Sequence, residues 1–233
     1  MALLSQSLHR AREWGGVALD LAFPRPDPVG EPPKWIERPF CEQCCEPFPA
    51  LETHQKEFRC YNCVDRKWSF AWARSGYRTE GQVLEAIIGF KYRDEYYHAA
   101  QMIEWLTEIF YRHARFEEWH GLVPVPLYHR RHRERGFNQS YELARGLGKK
   151  QKIPILSCLY RERETQTQTR LERSARWENM NGAFRLKPGF DVTGRNLLLI
   201  DDVFTTGATV NACAQALAQS GAGRVAVLTI ARS

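Results

Sequence analysis

The run Leu197-Leu198-Leu199-Ile200-Asp201-Asp202-Val203-Phe204-Thr205-Thr206-Gly207-Ala208-Thr209 sets two adjacent carboxylates between an unbroken apolar stretch and a small, hydroxyl-rich segment. An apolar run with no polar face reads as a strand buried on both sides, and the C-terminal end of such a strand is where open α/β sheets bind ligands. A helix beginning just after Thr209 would present free amide donors and a partial positive charge, which suit a phosphate. Thr205, Thr206 and Thr209 can add hydroxyl donors, and Gly207 lets the backbone come close in an unusual conformation. Acceptors for sugar hydroxyls then lie beside a phosphate cradle, an arrangement that fits a ribose 5-phosphate. The alternative is a plain helix cap at Thr205 or Thr206 after a solvated acidic turn, which leaves the order of the elements to chance.

A second cluster is built from cysteine. Cys41-x2-Cys44 and Cys60-x2-Cys63 are separated by 15 residues, the spacing of a zinc-ribbon site in which four thiolates surround one structural zinc. Cys45 competes with Cys44 as a ligand; the x2 spacing favours Cys44. His54 lies between the pairs and is not needed. Reduced surface thiols are the other reading. With four protein ligands the site is closed, so its zinc is expected to hold the module folded. Cys158 and Cys213 sit in apolar contexts and read as inert core residues.

Two basic segments complete the set. Residues 129–135, His-Arg-Arg-His-Arg-Glu-Arg, follow a short apolar stretch and form an anion site or a solvated basic face. Tyr128 and Phe137 flank them and could stack on nucleic-acid bases. Residues 161–179 carry Arg161, Arg163, Arg170, Arg173 and Arg176 with Thr165 and Gln168. They read either as an irregular excursion or as an exposed, salt-bridged helix.

Positioning these groups requires a parallel α/β sheet. The expected strands are 120–126, 196–200 and 224–230. Helices are expected in two stretches over 81–119 around a turn at Lys91–Glu95, over 138–150, and over 210–219. Residues 161–181 are expected to be an irregular excursion. Residues 1–39 are expected as a short amphipathic helix over 1–23 and a Pro-rich linker, residues 40–66 as a zinc-binding module, and residues 67–233 as the sheet domain.

The chain has 233 residues and a formal net charge of +6, with a sequence pI near 9.0, which favours anionic partners without choosing among them. Its seven cysteines are odd in number and clustered, unlike a secreted disulfide framework. No signal peptide or membrane-spanning run is visible, so a soluble cytoplasmic protein is expected.

The acidic pair and the loop after it resemble the phosphoribosyl diphosphate (PRPP) motif of type I phosphoribosyltransferases. The likeness widens with Lys91, with Pro124-Val125-Pro126-Leu127, with Arg131, and with Arg135-Gly136-Phe137-Asn138-Gln139. It continues through Arg161, Arg163, Thr165, Gln168, Leu171, Arg176, Asn179 and Gly182-Ala183-Phe184, and it takes in the paired cysteines. From about residue 40 onward the chain resembles the ComF family of phosphoribosyltransferase-like proteins. That resemblance implies a type I phosphoribosyltransferase-like fold. It implies that Asp201 and Asp202 hold the ribose 2- and 3-hydroxyls, near enough to the reacting sugar to be the catalytic candidates, and that Thr205, Thr206, Gly207, Ala208 and Thr209 wrap the 5-phosphate. Arg131, Arg135 and Gly136 would meet the pyrophosphate, and Arg163, Thr165, Gln168 and Arg176 would belong to a flexible loop that closes over it. Magnesium would accompany PRPP. The family is also linked to natural competence and single-stranded DNA, which implies a role in DNA uptake and use. An enzyme with an unknown acceptor and a non-catalytic PRPP- and DNA-binding adaptor both remain open; a purely structural zinc adaptor leaves the acidic pair unexplained.

Overall fold

The computed structural model describes residues 32–48, 58–93, 95–162, 177, 180 and 182–233, with the backbone alone for residues 129, 131 and 132. The chain divides into two units, Met1–Pro32 and Pro33–Ser233. The expected helix over 1–23 and most of the Pro-rich linker lie outside the described residues, as do Arg163, Thr165, Gln168 and Arg176.

In chain order the second unit runs through a single-turn helix α1 (Tyr61–Val64), β1 (Ala73–Arg78), α2 (Gly81–Tyr92) and α3 (His98–His113). It continues with β2 (Gly121–Pro124), α4 (His129–Arg135), α5 (Gln139–Gln151), β3 (Leu159–Arg161) and β4 (Phe184–Leu186). It ends with β5 (Leu197–Phe204), α6 (Ala208–Gln219) and β6 (Val225–Arg232). Strands β1, β6, β5 and β2 form a four-stranded sheet in that order, with every pairing parallel. Strands β3 and β4 pair separately and antiparallel.

The apolar run of β5 shows why the sheet must be covered on both faces. Side chains alternate across a strand, and Leu197 and Leu199 pack in one core while Leu198 and Ile200 pack in the other. The first core also takes Val210, Cys213 and Leu217 of α6, Phe184 of β4 and the four paired cysteines. The second takes Phe90 of α2, Met102, Leu106 and Ile109 of α3, and Leu143 and Leu147 of α5. The cysteine module therefore shares a core with the sheet. It is tied on further by the Ala73 amide donating to the Gln43 carbonyl at 2.9 Å and by Gln43 Nε2 donating to the Phe70 carbonyl at 3.0 Å.

Several elements depart from the sequence expectation. Strand β5 runs on to Phe204 rather than stopping at 200, because β6 keeps pairing alongside it as far as Phe204–Arg232. The acidic pair is thus part of the strand. The basic segment 129–135 is a helix, not a loop, and Lys91 lies in the last turn of α2 rather than in a turn after it. The segment expected as an excursion from 161 begins on a strand, since Arg161 closes β3. Strand β1 carries no apolar alternation to betray it: Arg74 and Ser75 are buried. Ser75 shares a 2.7 Å hydroxyl–hydroxyl bond with Thr229, and Arg74 donates to the Glu42 carbonyl at 2.8 Å. No described helix is long and apolar enough to cross a membrane.

Leu198 is fully buried at the centre of the covered sheet. Leu198→Ala is expected to lower stability by about 2–5 kcal/mol, the usual cost of such a cavity, read as a shift in the urea unfolding midpoint.

Candidate functional site

A cavity of about 170 Å³ opens at the C-terminal ends of β2 and β5. The connections leave in opposite directions there: α6 leads from β5 to β6 on one side, while β2 lies on the other. Such a point leaves a crevice above the strands. Its lining brings together Asp201 and Asp202 of β5, Thr205, Gly207 and Thr209 of the following loop, Lys91 and Tyr92 from α2, Arg135 from α4, and Ser140 from α5.

The loop turns through Gly207, whose φ of +78° is the left-handed conformation at the N-cap of α6. A Cβ there would sit 2.6 Å from Phe204 Cζ and 2.6 Å from Trp68 Cζ3, so glycine is required by both backbone angle and space. Among the described residues, the backbone amides of Thr205, Thr206 and Gly207 donate to no protein acceptor. The Ala208 amide makes only a 3.4 Å bond to Thr206 Oγ1. Free amides at the head of a helix of 12 residues make an anion cradle.

The carboxylates differ in their surroundings. Asp202 is 3% exposed and its Oδ2 forms an ion pair with Lys91 Nζ. Burial is the largest influence and would raise its pKa, but the Lys91 ammonium, with the hydrogen bond to Asp201 and the Arg135 charge, holds it below the ordinary value. Asp201 is pushed up to about 7, first by burial and then by the neighbouring Asp202 charge. It accepts from Ser140 Oγ at 2.8 Å and from the Asp202 amide at 3.0 Å. Ser140 is placed by Asn138, which caps α5 by accepting from the Ser140 amide at 3.0 Å and donates to the Val125 carbonyl at 3.1 Å. The pair therefore has one ionised member and one poised to take or lose a proton near neutrality.

Arg135 reaches the same cavity. It donates to Tyr92 Oη and to Gln139 Oε1, each at 3.0 Å, and its guanidinium stands 4.8 Å from the Tyr92 ring centre. Gly136 lines an adjoining groove of about 570 Å³ with Phe137, Tyr141 and Tyr160. Thr206 faces a separate hollow with Trp68, Trp177 and Arg232, and Ala208 is buried. Arg131 lies on α4, its side chain outside the described residues. Sequence reading named Lys91 only as part of the family likeness, without a role, and did not single out Ser140, Trp68 or Arg232. For Lys91 the sign of its charge against the acidic pair was the available signal; the others depend on packing between distant segments.

The cysteines converge as their spacing predicts. The ligand atoms of Cys41, Cys44, Cys60 and Cys63 lie within 4.8 Å of one another, all buried and none in a disulfide. Cys45 turns away in a left-handed conformation, φ +59°, and its thiol donates to the Ser75 carbonyl at 3.6 Å. Four close, unbonded thiols suit a tetrahedral soft divalent ion and so fit zinc.

No family model matches the chain. Curated relatives do. The DNA utilization protein YhgH of Escherichia coli K12 is 32% identical over 209 residues, covering 84% of this chain and 86% of its own. Competence protein F of Haemophilus influenzae is 28% identical over 202 residues, covering 84% and 85%. Competence protein ComFC of Bacillus subtilis is 30% identical over 165 residues, covering 69% and 64%. Among solved structures, the glutamine PRPP amidotransferase of B. subtilis matches 56% of this chain and 25% of its own at 19% identity and a TM-score of 0.38. The adenine phosphoribosyltransferase of Leishmania donovani matches 62% and 68% at 10% identity, with the same TM-score of 0.38. The molecule is thus an α/β protein with a parallel sheet, a polar cavity at its strand ends and a four-cysteine module. It belongs to the ComF family, which includes YhgH and ComFC.

Two measurements follow from this geometry. Asp201 titrates higher in the folded chain than the ordinary value of about 3.9, so folding is penalised increasingly as pH rises from about 4 to about 7. Asp201→Asn removes the penalty, and its melting temperature should exceed that of the parent clearly at pH 8 and hardly at all at pH 4.5. Metal analysis of the purified chain should return about one zinc per molecule, and stripping it with a strong chelator should lower the melting temperature.

Proposed function

We propose that this chain binds PRPP with magnesium at the cavity above β5 and acts, as a phosphoribosyltransferase-like protein, in the uptake and use of DNA. The observation that carries this reading is the meeting, in one 170 Å³ cavity, of a half-buried Asp201 and a buried Asp202 with the unpaired amides at the head of α6. Carboxylates accept from ribose hydroxyls, and the amides with Thr205 and Thr209 receive the 5-phosphate. Arg135 lines the same cavity and offers a cation to a pyrophosphate attached to the anomeric carbon; Arg131 of α4 belongs to the same basic element. The names of the relatives, competence and DNA utilization proteins, supply the physiological setting.

The reaction suited to these groups is displacement at the anomeric carbon. A nucleophile bonds to that carbon, the bond to the pyrophosphate oxygen breaks, and pyrophosphate leaves with the electron pair. Positive charge grows on the ribose in the transition state, and Asp201 and Asp202 sit where their negative charge opposes it. Lys91 and Arg135 offer counter-charge to the departing anion. Positioning of sugar and phosphate on a rigid strand and helix head supplies much of the remainder. Magnesium would neutralise charge on the leaving group, and Asp201 and Asp202, as oxygen ligands, would be suited to hold it.

Calorimetric titration of PRPP with magnesium into the zinc-loaded chain should show saturable binding. Asp202→Ala should abolish it while circular dichroism shows the fold retained; unchanged affinity in that variant would sink the assignment. Pyrophosphate release on adding an acceptor would mark turnover, whereas tight binding without release with any acceptor would mark a PRPP-binding adaptor.

A further inference from the structure

Arg232, the last residue of β6, is 7% exposed and touches two parts of the molecule that are far apart in sequence. On one side its Nη1 donates to the carbonyls of Phe204 at 3.2 Å and Thr205 at 2.6 Å. On the other its Nη2 donates to Cys44 Sγ at 3.8 Å, and its guanidinium forms an ion pair with Glu46, two residues beyond Cys44. The guanidinium also stands 4.8 Å from the centre of the Phe204 ring.

The two carbonyls determine where the phosphate loop aims its donors. A peptide unit is planar, and in the trans form its N–H points opposite to its C=O. The only cis bond among the described residues is Arg38–Pro39. With the Phe204 and Thr205 carbonyls turned toward Arg232, the amide hydrogens of Thr205 and Thr206 point away from it. These are two of the three amides that have no protein acceptor. Trp68, which follows the second cysteine pair, packs against Gly207 from the same module.

We propose that Arg232 is a positioning residue that couples the four-cysteine centre to the phosphate loop, so that the hold on a phosphomonoester at residues 205–209 depends on how that centre is filled. Four thiolates around a divalent ion carry net negative charge, and a charge-assisted bond to Cys44 holds the guanidinium in place. Its remaining N–H groups then lock the loop carbonyls. Coupling of this kind is reciprocal: a ligand on the loop must alter the cysteine centre as much as the centre alters the loop. The proposal rests on the reading of this loop as a sugar-phosphate site.

The test uses the whole chain loaded with cobalt(II), whose thiolate charge-transfer bands report the cysteine centre directly. Ribose 5-phosphate should shift those bands, with a midpoint equal to its calorimetric Kd, and pyrophosphate should leave them in place. Arg232→Lys keeps the charge but has one nitrogen for several acceptors. It should bind ribose 5-phosphate roughly tenfold more weakly, the scale of one charge-assisted hydrogen bond. It should also lose the band shift while keeping its pyrophosphate affinity. A general loosening of the fold would weaken both ligands alike and so overturn the proposal. Unmoved bands in the parent at saturating ribose 5-phosphate, or parental affinity in Arg232→Lys, overturn it equally. If the variant does not fold, the parent titration alone decides. No heat of binding to the parent refutes the ligand reading itself, and the coupling with it.

Discussion

Two carboxylates held side by side at the end of an apolar strand are costly to keep ionised, and the rest of the site is arranged around that cost. Asp202 is stabilised by the Lys91 ammonium, so α2 must end where it does and aim its last turn at β5. Asp201 accepts from the Ser140 hydroxyl instead, and although the Lys91 charge also favours its ionised form, burial and the Asp202 charge keep it close to its protonation point at neutral pH. Perturbed acids of this sort collect at functional sites because a ligand that satisfies them gains what the empty protein forgoes. Ribose hydroxyls and a nearby divalent ion are satisfiers of this kind.

The cysteine module has a place in the same economy of contacts. It packs in the core that includes Leu197, Leu199 and Phe204, and Trp68 at its edge fills the space that a side chain at position 207 would need. Arg66 stacks over the ring of Trp177 at 4.1 Å on the same side of the sheet. The underside of the loop after β5 is thus made in part of residues from a segment more than a hundred positions earlier in the chain.

Much of the site was legible in the sequence because its parts are contiguous. The strand, acidic pair, glycine and helix head lie within residues 197–209, and the cysteine spacing alone brings four thiols together. The elements with apolar periodicity, α3, α5, α6 and β2, were legible for the same reason. Strand β1 was not, since its buried Arg74 and Ser75 are satisfied by partners on other segments. The helix over 129–135 was hidden by a run of charge with no apolar face. The true length of β5 depends on pairing with Arg232, and the contacts of Arg232 with the loop carbonyls and Cys44 depend on the folded arrangement of three segments.

The strand order β1-β6-β5-β2 has a consequence for how the molecule comes into being. Strand β6 is interior to the sheet, flanked on both sides, yet it is made after the three strands it joins with in that sheet, β1, β2 and β5. Until residues 225–232 emerge from the ribosome, β1 and β5 have no common neighbour, and the bond between Ser75 and Thr229 spans 154 positions. Closing so long a loop makes for slow folding. From the emergence of β5 until that of β6, two open strand edges wait for the segment that joins them, and such edges invite association with other chains. The nascent chain is therefore most vulnerable to aggregation in the interval before β6 emerges and pairs.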